Sequence, residues 1–260
     1  MDEKSPDAQH GEREGRRLQG LIGLLAVIAL AGCAGPTPAE ESPVASASPV
    51  QRTLLAIGDS IPLNAAGDCP GCTGFVESYA DDLSTSTGET YVAVNRSRHD
   101  GAQTADILEE LQSGSLDEQL AAADVVVVSA GFNDQPPYGD EGEACYAARL
   151  DTNADLFAAV IATTDECITT QTASTGDELT GVLRGVRERA PEASILALTA
   201  YNAWTGWSAL DAADPEIAAA VNSTIAAGLM AWRTEVCDVA RSVNAQCIDL
   251  LEAFNGPEGA

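Results

Sequence analysis

LLAIGDSIPL, residues 54–63, runs four apolar residues into Gly58-Asp59-Ser60 and then returns at once to an apolar pair. A run without polar residues suits a strand covered on both faces. The glycine marks the point where the chain leaves the sheet, and Ser60 follows on the turn. A hydroxyl on such a turn is held rigidly at the sheet rim, with backbone N–H groups nearby. Outward from this stretch the same kind of run recurs as YVAVN (91–95), DVVVVSAG (124–131), SILALTA (194–200) and QCIDLL (246–251). Between the runs lie helical patterns: GFVESYADDL (74–83), TADILEELQ (104–112), TGDELTGVLRGVRERA (175–190) and the long segment 214–240. Strands alternating with helices predict an α/β domain, a three-layer α/β/α sandwich around a mainly parallel five-stranded sheet.

The 260 residues are 45% hydrophobic and 20% charged, which is globular rather than disordered composition. Thirteen Lys and Arg stand against 40 Asp and Glu, a formal charge of -27. That field repels nucleic acid and anionic headgroups, so no nucleic-acid partner is expected.

Arg13, Arg16 and Arg17 precede the apolar run LIGLLAVIAL, which stops at Ala31-Gly32-Cys33. A basic flank, a short apolar core and small residues at its end make a secretory signal, and the run is short for a membrane span. LAGC at 30–33 resembles a bacterial lipobox, which implies Cys33 as the lipidated first residue of the mature chain. Ordinary cleavage and an uncleaved anchor are the alternatives. Residues 33–51, rich in Pro, Ser, Ala and Glu, suit a tether. The expected organisation is thus a lipoprotein signal peptide over 1–32, a tether over 33–51 and a folded domain over 52–260, outside the cytoplasm on the outer face of a bacterial membrane.

Of seven cysteines, setting Cys33 aside leaves Cys69, Cys72, Cys145, Cys167, Cys237 and Cys247. An even number in an exported protein suggests three disulfides. Pairing of neighbours is expected: Cys69 with Cys72, Cys145 with Cys167, and Cys237 with Cys247. CPGC at 69–72 also has the form of a redox motif ahead of a helix, but no strand runs directly into it as a thioredoxin-like context requires.

Function in a parallel sheet gathers at the carboxyl ends of its strands. There the sequence places Gly58-Asp59-Ser60, then Asn95 and SRHDG, then GFND, then YNAWTGW. These residues resemble the SGNH or GDSL hydrolases. IGDSI is similar to their first block, with Ser60 as nucleophile; NRSRHDG to the second, with Gly101 lending a backbone N–H; GFND to the third, with Asn133 lending its side-chain amide. The resemblance spans about residues 53–250 with the blocks in family order. It implies a flavodoxin-like SGNH fold and cleavage of carboxylic esters through an acyl-enzyme, with no cofactor. Attack by Ser60 puts negative charge on the carbonyl oxygen, and donors already aimed there lower the barrier. Taken singly, Gly101 reads equally as a turn glycine and Asn133 as an Asx-turn residue.

The resemblance also implies a general base in an Asp-x-x-His block near the C-terminus, and the sequence as given carries no such block. Its two histidines are His10 and His99. His99, two residues before Gly101, is a candidate substrate contact or a hydrogen-bonding residue of its loop, with substitution for the missing base as the alternative. Asp249 and Glu252 follow the last apolar run with no histidine in register, so neither is assigned as a catalytic acid. Trp204 is a candidate wall for an acyl or sugar group, or simply packs its loop. No zinc constellation or phosphate loop is expected. The partners implied are a small-molecule, lipid or acylated-glycan ester and, through Cys33, the membrane; a monomer is expected. The rival readings are a binding lipoprotein on the same scaffold and a redox protein at Cys69 and Cys72.

Overall fold

A computed structural model describes residues 50–64, 71–98, 101–138, 145 and 150–257, all within one compact unit, Ala47–Ala260. The expected signal peptide, nearly all of the expected tether, Cys33, Cys69 and His99 lie outside the described residues.

The elements alternate as the apolar runs predict. In chain order they are β1 (Gln51–Gly58), α1 (Ser60–Leu63), α2 (Phe75–Thr87), β2 (Thr90–Asn95), α3 (Thr104–Gln112), α4 (Asp117–Ala121), β3 (Val125–Ser129), α5 (Asn153–Ala162), α6 (Asp165–Arg189), β4 (Ser194–Leu198), α7 (Ser208–Asp211), α8 (Pro215–Ser242), β5 (Gln246–Ile248) and α9 (Leu250–Asn255). All five strands are parallel, in the order β2-β1-β3-β4-β5.

Successive residues of a strand face opposite sides of the sheet, and the core divides accordingly. Leu55, Ile57, Val126, Val128, Ile195 and Ala197 bury against the face that α3, α6 and α8 cover, together with the fully buried Trp232. Leu54, Ala56, Val127, Leu196 and Leu198 face the other way. There Val76 of α2 packs over the β1 side of the sheet. Beyond α2 a groove of about 620 Å³ runs over Val127, Leu196, Leu198 and Ile248, between Phe75 and Tyr79 on one side and Leu250 and Phe254 on the other. No helix among the described residues is long and apolar enough to cross a membrane.

Two expected boundaries are corrected. QCIDLL is a strand only over Gln246–Ile248. Asp249 ends it by accepting from Glu252 N at 3.0 Å, which caps α9. The third helical pattern begins at Asp165 rather than Thr175, with Thr164 Oγ1 accepting from Cys167 N at 3.1 Å.

Disulfides join Cys145 to Cys167 and Cys237 to Cys247, the neighbour pairing read from the sequence. The second ties α8 to the edge strand β5. Cys72 is also disulfide-bonded.

Candidate active site

The turn that carries Ser60 is built by its neighbours. A Cβ on Gly58 would stand 2.1 Å from the Ser129 carbonyl oxygen, so only glycine lets β1 run this close to the end of β3. Asp59 N donates to that same carbonyl at 3.1 Å. The Asp59 carboxylate accepts from Ile61 N at 3.0 Å, capping the single turn α1 that opens with Ser60. Asn64 closes the turn in the left-handed region, with φ 51°. Ser60 is half-buried, and its hydroxyl makes no hydrogen bond among the described residues.

The second motif is drawn alongside. Past the end of β2, Arg96 N and Arg98 N continue the ladder onto the Ala56 and Gly58 carbonyls, each at 2.8 Å. Asn95 donates through Nδ2 to the Pro62 carbonyl and accepts from Ser97 N at 3.0 Å. One side chain therefore pins the serine's turn and starts the loop to Gly101. Gly101 is exposed with φ +80°, a conformation that disfavours residues with a Cβ.

The third motif grips the second. Asn133 Nδ2 donates to the Ala102 carbonyl at 2.9 Å. Asp134, the next residue, is buried and accepts from Thr104 N at 3.1 Å and from Thr104 Oγ1 at 3.0 Å. An amide carries two N–H donors. With one fixed on Ala102, the second Asn133 N–H is left for another acceptor.

Two buried carboxylates thus flank the predicted nucleophile and amide. Burial pushes Asp59 up to about 6, against the bond from Ile61. Its second oxygen, Oδ2, has no hydrogen-bond partner. Burial pushes Asp134 up to about 7, the Thr104 bonds working against it and the charges of Glu178 and Asp59 adding to it. Asp134, Thr104 and Asn95 were not singled out from the sequence for these roles. The one signal for Asp134 was its place after Asn133 at the end of a wholly apolar strand.

The other candidates fall elsewhere. Trp204 is buried, edge-on to Trp207 at 5.4 Å and packed with Phe157 and Val221, as its packing reading holds. Tyr201 instead lies against Phe254 at 5.5 Å and lines the apolar groove together with Ile61, the residue after the serine. Asp249 is occupied as the cap of α9 and is ion-paired with Arg233, which also reaches Glu252 at 2.8 Å.

A family model described as the GDSL-like Lipase/Acylhydrolase family matches residues 56–260. Among solved structures, the chain is similar to the lipase Lip_vut3 from a goat rumen metagenome, with 17% identity over 79% of this chain and 84% of that one and a TM-score of 0.57. It is also similar to phospholipase A1 from Streptomyces albidoflavus NA297, with 19% identity over 79% and 82% and a TM-score of 0.50. At these identities the likeness is one of fold. No curated protein matches the sequence.

Proposed function

This chain belongs to the GDSL-like lipase/acylhydrolase family and is thereby an ester hydrolase, and from that premise we propose that Ser60 is its nucleophile. Ser60 Oγ attacks the ester carbonyl carbon, the bond to the alcohol oxygen breaks, and the alcohol leaves with a proton. Water then attacks the acyl-serine, releasing the acid and returning a proton to Ser60. The charge that develops on the carbonyl oxygen is met by the Ser60 N–H, the Gly101 N–H and the Asn133 amide. Removing one such donor typically costs about 2.7–4 kcal/mol.

The observation that carries this reading is the bond from Asn133 to Ala102. It holds the amide against the residue after Gly101 while sparing its second N–H. The serine hydroxyl needs a base to take its proton, and His99, the histidine that precedes Gly101 in the second motif, lies outside the described residues. The rival reading is a protein that binds esters on this scaffold without turning them over. The substrate class we assign is a carboxylic ester of a lipid, an acylated glycan or a small molecule. The enzyme acts outside the cytoplasm, anchored through lipidated Cys33.

A fluorophosphonate probe applied to the exported protein separates the readings. Labelling that maps to Ser60 and disappears in Ser60→Ala is the expected result. Equal labelling of the Ser60→Ala protein removes Ser60 as nucleophile. Absent labelling together with saturable ester binding replaces the hydrolase by the binder.

A further inference from the structure

Asn133 and Asp134, consecutive in sequence, both reach back to the segment that begins at Gly101. The first holds Ala102 through its carbonyl and the second holds Thr104 through its N–H and its hydroxyl. Thr104 is fully buried and Asp134 nearly so. Thr104 opens α3, whose start already has its own reciprocal cap: the Gln103 side chain accepts from Asp106 N, and Asp106 accepts from Gln103 N at 2.9 Å. That box does not reach the Thr104 N–H and hydroxyl, and Asp134 takes both. A carboxylate taken out of water at such a place is costly to the fold, and Asp59 and Glu178 bring further negative charge toward it. What the carboxylate adds is geometry. Two of its atoms fix two atoms of Thr104, so the loop 101–104 and the turn 132–134 move as one body.

We infer that Asp134 is a positioning residue of the hydrolytic site, acting through Thr104 to keep the Gly101 N–H and the Asn133 amide in one frame. The inference rests on reading those two groups as oxyanion donors. Asp134 touches neither substrate nor the reacting atoms. Its removal leaves both donors in place but lets their separation drift, and a misplacement of about 1 Å costs about 10²-fold in rate. Ground-state binding changes little, because the donors act on charge that develops only in the transition state.

The test is turnover of p-nitrophenyl acetate by the exported protein, counted per Ser60 labelled by fluorophosphonate so that unfolded molecules drop out. Asp134→Ala is expected to lower kcat by about 10- to 100-fold with KM nearly unchanged. Asp134→Asn keeps an acceptor for Thr104 N and recovers most of the loss. Thr104→Val, which removes the hydroxyl alone, lowers kcat in the same manner but less. In the double variant, Thr104→Val adds less than its single effect to Asp134→Ala, since the two act through one contact. Should Asp134→Ala not fold, Thr104→Val carries the test. Amide exchange at 101–104 is expected to speed up in either Thr104→Val or Asp134→Ala while the strands stay protected. Unchanged kcat per labelled site in folded Asp134→Ala and Thr104→Val overturns the inference and leaves the hydrolase reading standing. Wild-type protein with no Ser60-dependent turnover overturns both.

Discussion

Asp59→Asn isolates one buried charge without dismantling the turn that carries Ser60. The asparagine keeps a side-chain oxygen to accept from Ile61 N, as Oδ1 does at 3.0 Å. What it loses is the ionisation. Burial raises the folded-state value from 3.8 to about 6, so the folded protein favours the protonated form. The stability this group contributes is therefore complete below about pH 3.8 and is lost as pH rises through about 6. At about 1.36 kcal/mol per unit the loss is about 3 kcal/mol in full, of which about 2 kcal/mol falls between pH 4.5 and 8. For a domain of this size that is roughly 4–8 °C in melting temperature. The comparison is urea unfolding of wild type and variant at both pH values. Wild type is expected to lose about 2 kcal/mol more than the variant between them. The amide nitrogen at the place of the partnerless Oδ2 shifts the variant's curve bodily and leaves its slope alone. Parallel curves for the two proteins would refute the reasoning, since Asp59 would then titrate alike folded and unfolded.

Gly131→Ala is expected to destabilise the domain by about 3 kcal/mol or more. The new Cβ would stand 2.0 Å from the ring of the fully buried Trp232, at a φ of +96°. Thermal unfolding checks it, and a loss below about 1 kcal/mol would mean that this stretch of backbone yields. Cys33→Ser is expected to move the protein from the detergent phase to the aqueous phase in phase partition, because buried acyl CH₂ groups at about 0.8 kcal/mol each supply most of the membrane affinity. Unchanged partition removes the lipid anchor.

The sheet was legible because a parallel strand covered on both faces has almost no choice but apolar residues, and VVVV at 125–128 admits no other reading at that length. The first ten residues of α6 were not legible, for the same reason turned round. Their buried positions are Ile168 and Thr172, and the same face continues at Thr175, Gly176 and Leu179. That is helical spacing, but threonine supplies the contact face, and threonine counts neither as apolar nor as a good helix former. The end of β5 misled differently. Ile248 and Leu250 belong to one apolar run, and only the bond from Glu252 N to Asp249 makes the boundary between strand and helix. In the site, the motif residues were legible as polar groups at the ends of apolar strands. Their supports were not. That Asn95 would reach Pro62, or Asp134 would reach Thr104, depends on strand order, and no local pattern encodes it.

Strand order also explains why the three motifs converge at all. In the order β2-β1-β3 the chain leaves β1 toward one edge of the sheet and must return past it to reach β3. The ends of β1 and β3 therefore flank the crevice where connections diverge, the place such sheets use for ligands. Ser60 follows the end of β1, and Asn133 follows the end of β3. The loop to Gly101 is carried from β2 onto β1 by the bonds of Arg96 N and Arg98 N. Ser60, Gly101 and Asn133 are thus placed by ladders between neighbouring strands rather than by the helices between them. The ladders stop short of the last few residues, and there two buried carboxylates take over, Asp59 on the serine's turn and Asp134 on the amide's. Both are raised by burial, and Asp59 adds its charge to Asp134. Holding them there costs the fold stability at neutral pH, the usual sign of residues kept for where they put their neighbours rather than for what they add to the core.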